Sequence, residues 1–166
     1  GKSLYLRSVF LMDKMLWFSK KQNKIEKKLE SLDKNVKTSF ENIKQDIKRA
    51  KSQVDILVVS LHSGEEYIQE PGQLQINFAR AAIDAGADVV VGHHPHVVQR
   101  NEIYPSASSG QVGWIFYSLG NFVFDQNFSP ETTRGQIVRI IIEDKKIKEV
   151  IPINIKINEY FQPELP

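Results

Sequence analysis

Apolar positions in this chain change their spacing near residue 53. From 23 to 52, Ile25, Leu29, Leu32, Val36, Phe40, Ile43, Ile47 and Ala50 recur every three or four residues. That period predicts a helix with one apolar face and Lys and Glu on the other. Beyond it the apolar runs are short, continuous and rich in β-branched residues. Residues 54–61 read as a buried parallel strand and 74–85 as a helix that turns Ile76, Ala79, Ala82 and Ile83 inward and stops at Gly86. Residues 88–91 read as the next strand, which completes one right-handed βαβ unit. A further strand is predicted over 114–119, and a hairpin over 136–143 and 147–157 around Asp144-Lys145-Lys146. Residues 1–22 mix apolar and basic positions and fit a strand followed by a short amphipathic helix. The whole pattern predicts one α/β domain over 1–166, with a long N-terminal amphipathic helix over 23–52 and a sheet-forming region over 54–160.

Charge divides the chain in the same place. Residues 1–53 carry a net +8 and the remainder a net −6, so the overall +2 is a balance between two unlike halves. A basic half could meet nucleic acid, but aromatics do not interleave with it as a base-stacking platform requires, and no nucleic-acid partner is expected. A solvated helix face above a sheet accounts for the charge better. The longest N-terminal apolar stretch, Val9 to Met12, is cut off by Asp13 and Lys14, so no membrane-spanning segment is visible in this chain. There is no cysteine. Any transition-metal site must therefore draw on His, Asp, Glu or Asn.

All four histidines follow predicted strands. His62 follows the first, and His93, His94 and His96 stand in Gly92-His93-His94-Pro95-His96 after the second. Alternate side chains on an extended backbone point the same way, so His94 and His96 can converge on one cation, with His62 approaching from the neighbouring strand. Pro95 restricts the loop between them. Three imidazoles suffice for a zinc-type site with an open position. Glu65 and Glu66 follow His62. Glu66 could ligate metal, act as general base or orient a histidine, whereas Glu65 reads as a solvated loop carboxylate. Asn121 sits past a third strand and either contacts substrate or serves as a turn residue. Arg134 could bind an anion but reads as a surface cation.

The segments His62-Ser63-Gly64-Glu65-Glu66-Tyr67, Asp84 to Gln99 around Gly92-His93-His94-Pro95-His96, and Tyr117-Ser118-Leu119-Gly120-Asn121-Phe122-Val123-Phe124-Asp125 occur in a recognisable order. Together they resemble the CapA family of bacterial capsule-synthesis proteins, which includes the poly-γ-glutamate synthesis accessory proteins of the PgsA type. That family is similar to the calcineurin-like metallophosphoesterases. The likeness covers roughly residues 50–145. It implies the C-terminal half of a metallophosphoesterase-like β-sandwich flanked by helices, with His62, His94 and His96 as metal ligands. It also matches Glu66 to the family's H-x-G-x-E-Y glutamate and places His93 outside the ligand set, at a position where the family accepts other small polar residues. In a hydrolase His93 or Glu66 would handle protons and Asn121 would contact substrate. The likeness further implies a divalent cation (Mn, Zn or Fe). A full-length domain would hold two such ions. The superfamily's metal centre further needs Asp-x-His or Gly-Asp and Gly-Asn-His motifs upstream, and this sequence contains none of them.

Three functions compete on this evidence. One is metal-dependent phosphoester hydrolysis in capsule (poly-γ-glutamate) biosynthesis. A second is a noncatalytic accessory or scaffold for assembly or export of an anionic capsule polymer, with the basic helix facing the polymer. The third is a partial domain that self-associates through Phe10, Leu16 and Trp17. The resemblance implies a bacterial cell-surface or membrane-associated setting, with any anchor lying upstream of this chain.

Overall fold

In a computed structural model, residues 2–108 and 110–166 are described, with the side chains of 2–23, 25, 26 and 29 excepted. The fold is mixed α/β, with two helices and two sheets among the described residues. Helix α1 (Lys2–Lys51) is followed by β1 (Val58–His62), α2 (Gln73–Asp84), β2 (Val89–His93), β3 (Asn101–Pro105) and β4 (Val112–Phe116). The chain then forms β5 (Arg134–Glu143), β6 (Lys146–Ile157) and the short β7 (Pro163–Glu164).

By contact density the chain divides into residues 1–41 and residues 42–166. The first unit is helical, and its described side chains are exposed up to residue 39, Leu32 and Val36 included. Within the second unit, Ile47 is buried and Ile43 packs against the core. A helix covering a sheet is therefore seen in the last turns of α1. The described side chains do not establish an amphipathic face along its whole length. The strand expected within residues 1–22 is absent, because the backbone there is helical from Lys2 onward. The apolar residues Phe10, Leu16 and Trp17 lie outside the described side chains.

The larger sheet has the order β1-β2-β4-β3. Strands β1, β2 and β4 run parallel and β3 is antiparallel on the edge. The crossover from β1 to β2 is α2, which buries Ala79, Ala82 and Ile83 against Val90, Ile115 and Tyr117. Its C-terminus is a Schellman turn: Ala87 N–H donates to Ala82 O at 3.0 Å and Gly86 N–H to Ile83 O at 2.9 Å. Gly86 has φ +113°, a conformation that disfavours a Cβ. Strand β3 was not foreseen. Its exposed Asn101, Ile103 and Pro105 alternate with Glu102 and Tyr104, and the pattern is too polar to distinguish from loop.

The smaller sheet is the antiparallel set β5-β6-β7, whose long hairpin turns at Asp144 and Lys145, both at positive φ. It is joined to the larger sheet by a bridge between Gly120 and Gly135 and by Gln136 N–H donating to Leu119 O at 2.8 Å. At the amino end of the parallel strands, Asp88 ties three elements together. Lys51 Nζ and Leu57 N–H each donate to its Oδ2 at 2.7 Å, and Gln111 Nε2 donates to its Oδ1 at 2.7 Å.

Candidate metal centre

The three parallel strands deliver their chemistry at one edge, where open α/β sheets place ligands. His62 ends β1 and His93 ends β2, and the two are paired in register. The ladder continues past them: Ser63 N–H donates to His93 O at 3.1 Å and Tyr67 N–H to Pro95 O at 2.8 Å. Leu119 N–H, beyond β4, donates to Gly92 O at 3.0 Å. Gly92 is required at that crossing, since a Cβ there would fall 1.9 Å from Tyr117 O.

This framework brings Glu66, His94 and His96 together, with one potential ligand atom from each lying within 4.8 Å of the others. Glu66 is exposed, and the two imidazoles are half-buried. His62 stands beside the group, its ring centroid 4.8 Å from that of His94. The three side chains within that distance are therefore Glu66, His94 and His96, with His62 beside them. His93 is half-buried, as His94 and His96 are. Burial first, and the neighbouring His62 second, hold its pKa below the usual imidazole range. Two imidazoles and a carboxylate are a borderline-to-hard donor set that suits Zn, Mn or Fe, so the residues present fit a divalent transition metal.

Three residues at this edge carry positive φ without being glycine: Tyr67 at 64°, His94 at 102° and His96 at 59°. Such conformations cost on the order of 1–3 kcal/mol each and concentrate at functional sites. They explain why the H-x-H pair converges although its backbone turns rather than runs extended.

Asn121 lies 5% exposed behind His96. His96 Nδ1 is 2.9 Å from Asn121 Oδ1, and Asn121 Nδ2 donates to Thr132 O at 3.0 Å. Asn121 Nδ2 also reaches Gln126 Oε1 at 3.4 Å, and Gln126 Nε2 donates to Tyr67 Oη at 3.0 Å. Around His96 stand Tyr67, with ring centroids 6.0 Å apart, and Phe124 at 5.2 Å, while Phe128 packs edge-on to Tyr67 at 5.0 Å. The sequence assigns no role to Gln126, Thr132 or Phe128, which have no distinctive spacing, and carries Phe124 only within the Tyr117–Asp125 segment. Glu65 is exposed in the loop, and Arg134 is exposed at the start of β5.

The chain matches the family described as Bacterial capsule synthesis protein PGA_cap over residues 12–126. It belongs to that family. It is 53% identical over 111 residues to the PGA biosynthesis protein CapA of Bacillus subtilis (strain 168), covering 66% of this chain and 27% of that protein. It is 44% identical over 108 residues to the capsule biosynthesis protein CapA of Bacillus anthracis, covering 64% of this chain and 25% of that protein. An uncharacterized protein of Sinorhizobium fredii, y4sH, is 38% identical over 87 residues, or 51% of this chain and 18% of its own length. The chain thus spans about a quarter of the length of the CapA relatives it matches. The matched span in the family holds His62, Glu66, His94, His96 and Asn121.

Proposed function

We propose that this chain serves capsule biosynthesis at the bacterial cell envelope, as a metallophosphoesterase-like domain whose Glu66, His94 and His96 hold a divalent cation for phosphoester hydrolysis. The convergence of those three side chains at the carboxyl edge of the parallel sheet carries the reading. The names of the CapA relatives support the capsule setting. His62 stands close enough to His94 to act as a further ligand or to orient a phosphoester. His93, at the end of β2 beside His62, is the imidazole placed to exchange a proton with a group bound at this edge. A divalent ion in such a site polarises a phosphoryl oxygen and lowers the pKa of water. The exposed aromatic rim of Tyr67, Phe124 and Phe128 would limit water around the substrate.

The test is metal content and turnover on the same preparation. Stoichiometric Mn2+ or Zn2+ with phosphomonoesterase or phosphodiesterase activity that His94→Ala abolishes supports the reading. Metal binding without turnover on any phosphoester overturns the hydrolase part, and no metal binding overturns the centre itself.

A second reading, a noncatalytic scaffold for an anionic capsule polymer, draws on the exposed Lys24, Lys27, Lys28, Lys34 and Lys37 of α1. Long-chain polyglutamate binding that weakens steeply between low and high salt would favour it. Among the described residues no helix is long and apolar enough to cross a membrane.

A further inference from the structure

We infer that Asn121 is a positioning residue that fixes the tautomer of His96, so that Nε2 is the nitrogen offered to a metal. The inference rests on the metal-centre reading but starts from hydrogen-bond polarity alone. Thr132 O is a backbone carbonyl and can only accept, so the Asn121 atom facing it at 3.0 Å is the amide nitrogen. Gln126 Oε1 takes the second contact of that same nitrogen at 3.4 Å, and Gln126 is oriented in turn by donating its Nε2 hydrogen to Tyr67 Oη at 3.0 Å. With Nδ2 held on one side, Oδ1 is the atom that faces His96 Nδ1 at 2.9 Å. An amide oxygen has no hydrogen to give. Nδ1 must therefore carry the proton, and the lone pair of the neutral ring resides on Nε2. Burial of Asn121 to 5% keeps water from competing for the contact.

The arrangement also accounts for the backbone of His96. Its φ of 59° is disfavoured, and a ring tethered at Nδ1 to a buried carboxamide is held against rotation about that strained backbone. Partners that orient a ligand imidazole in this way generally change metal affinity by about 10- to 100-fold. Asn121 thus acts through His96.

The experiment reads the His96 ring directly by long-range 1H–15N correlation on the metal-free chain, at a pH where the imidazoles are neutral. Wild type is expected to show His96 as the Nδ1–H tautomer. Asn121→Ala is expected to lose that preference while the His62 signals keep their pattern, and Asn121→Asp, which retains an acceptor, to keep it. In parallel, Zn2+ titration by calorimetry should show an affinity about 10- to 100-fold weaker in Asn121→Ala, with recovery in Asn121→Asp. An Nε2–H tautomer in wild type overturns the inference with no substitution needed, so it stays testable even if Asn121→Ala does not fold. An unchanged tautomer in a folded Asn121→Ala overturns it as well. If wild type shows the Nδ1–H tautomer and binds no metal, the tautomer assignment stands and the metal-centre reading fails.

Discussion

Substituting Gly92 by alanine tests whether the sheet itself holds the candidate site in shape. The added Cβ would stand 1.9 Å from Tyr117 O, 2.5 Å from Tyr117 C and 2.9 Å from Phe116 O. All three are backbone atoms, so no flexible side chain can move aside. Ordinary contact needs about 3.4 Å or more, and the two strand ends must separate by roughly 1.5 Å, about a third of the normal spacing between strands. Separation on that scale stretches the Leu119 N–H to Gly92 O bond, now 3.0 Å, beyond hydrogen-bonding length. Overpacking costs about 1–3 kcal/mol, and a buried pair left unmet adds about 1 kcal/mol or more. We expect a loss of about 2–4 kcal/mol, or about 5–15 °C in Tm for a domain of this size. His94 lies two residues on, so its ring should move with the strand. Zn2+ affinity should then fall by at least about tenfold even where the variant is fully folded, since ligand geometry tolerates little displacement. Thermal unfolding by circular dichroism and calorimetric Zn2+ titration check both numbers. A Gly92→Ala protein with wild-type Tm and wild-type affinity would refute the reasoning.

Three further outcomes follow from named contacts. Zn2+ at 100 times its dissociation constant should stabilise wild type by about 2.7 kcal/mol, and His94→Ala or Glu66→Gln should remove most of that gain in a thermal-shift measurement. Asp88→Ala should cost about 1–3 kcal/mol in urea denaturation, because it leaves the part-buried Leu57 N–H without its acceptor and removes one contact each from Gln111 Nε2, which also donates to Ala87 O, and from Lys51 Nζ, which also donates to Asp55 O, while Lys51→Met should cost less. The Tyr117 hydroxyl is pushed well above the usual tyrosine range, by burial first and then by its 2.7 Å hydrogen bond to Glu102, with Arg80 and Arg100 opposing. A folded pKa raised above the unfolded value near 10 means that this stabilisation is complete below about pH 10 and is lost as pH rises further. Alkaline unfolding should therefore flatten in Tyr117→Phe, and tyrosinate absorbance should show one tyrosine that ionises only with unfolding.

Much of the fold could be read in the sequence because periodicity survives burial. The helix expected over 74–85 forms as α2, and the β-branched runs after residue 53 form β1 and β2, shifted by one to four residues toward their histidines. The shift has a physical source. Parallel strands pair in register, and β1 extends as far as β2 can offer partners, which carries His62 and His93 into the ladder. The long amphipathic stripe of 23–52 was less informative than it looked. Leu32 remains 50% exposed and Val36 37%, while Ile43 and Ile47 do the covering. Period alone shows which residues share a helix face, and it is silent on where a sheet lies beneath that face. Edge strand β3 was illegible for the opposite reason, since polar side chains on an exposed edge carry no hydrophobic signal.

The candidate site was legible in its residues, and their arrangement was not. Spacing placed His94 and His96 on one side of an extended backbone, yet both adopt positive φ, and the convergence arises from a turn. That turn is what admits Glu66 to the group and sets His62 beside it, a grouping that depends on backbone angles no motif encodes. Asn121 shows the same limit. A carboxamide can donate or accept, so its place after a strand is compatible with substrate, turn or support. Only the neighbouring carbonyl of Thr132 settles which end faces His96, and with it which nitrogen of that ring is free. Three disfavoured φ values within one loop cluster cost several kcal/mol together, on the order of half a domain's net stability. A cost of that size persists only where the surroundings over-determine the backbone. Here Pro95 is buried, Tyr67 N–H is tied to Pro95 O, and His96 is tied through Asn121 to the segment leading into β5. The body of the domain therefore holds the loop's shape, and the Tyr67 amide should be as protected from hydrogen exchange in metal-free protein as in protein given Zn2+.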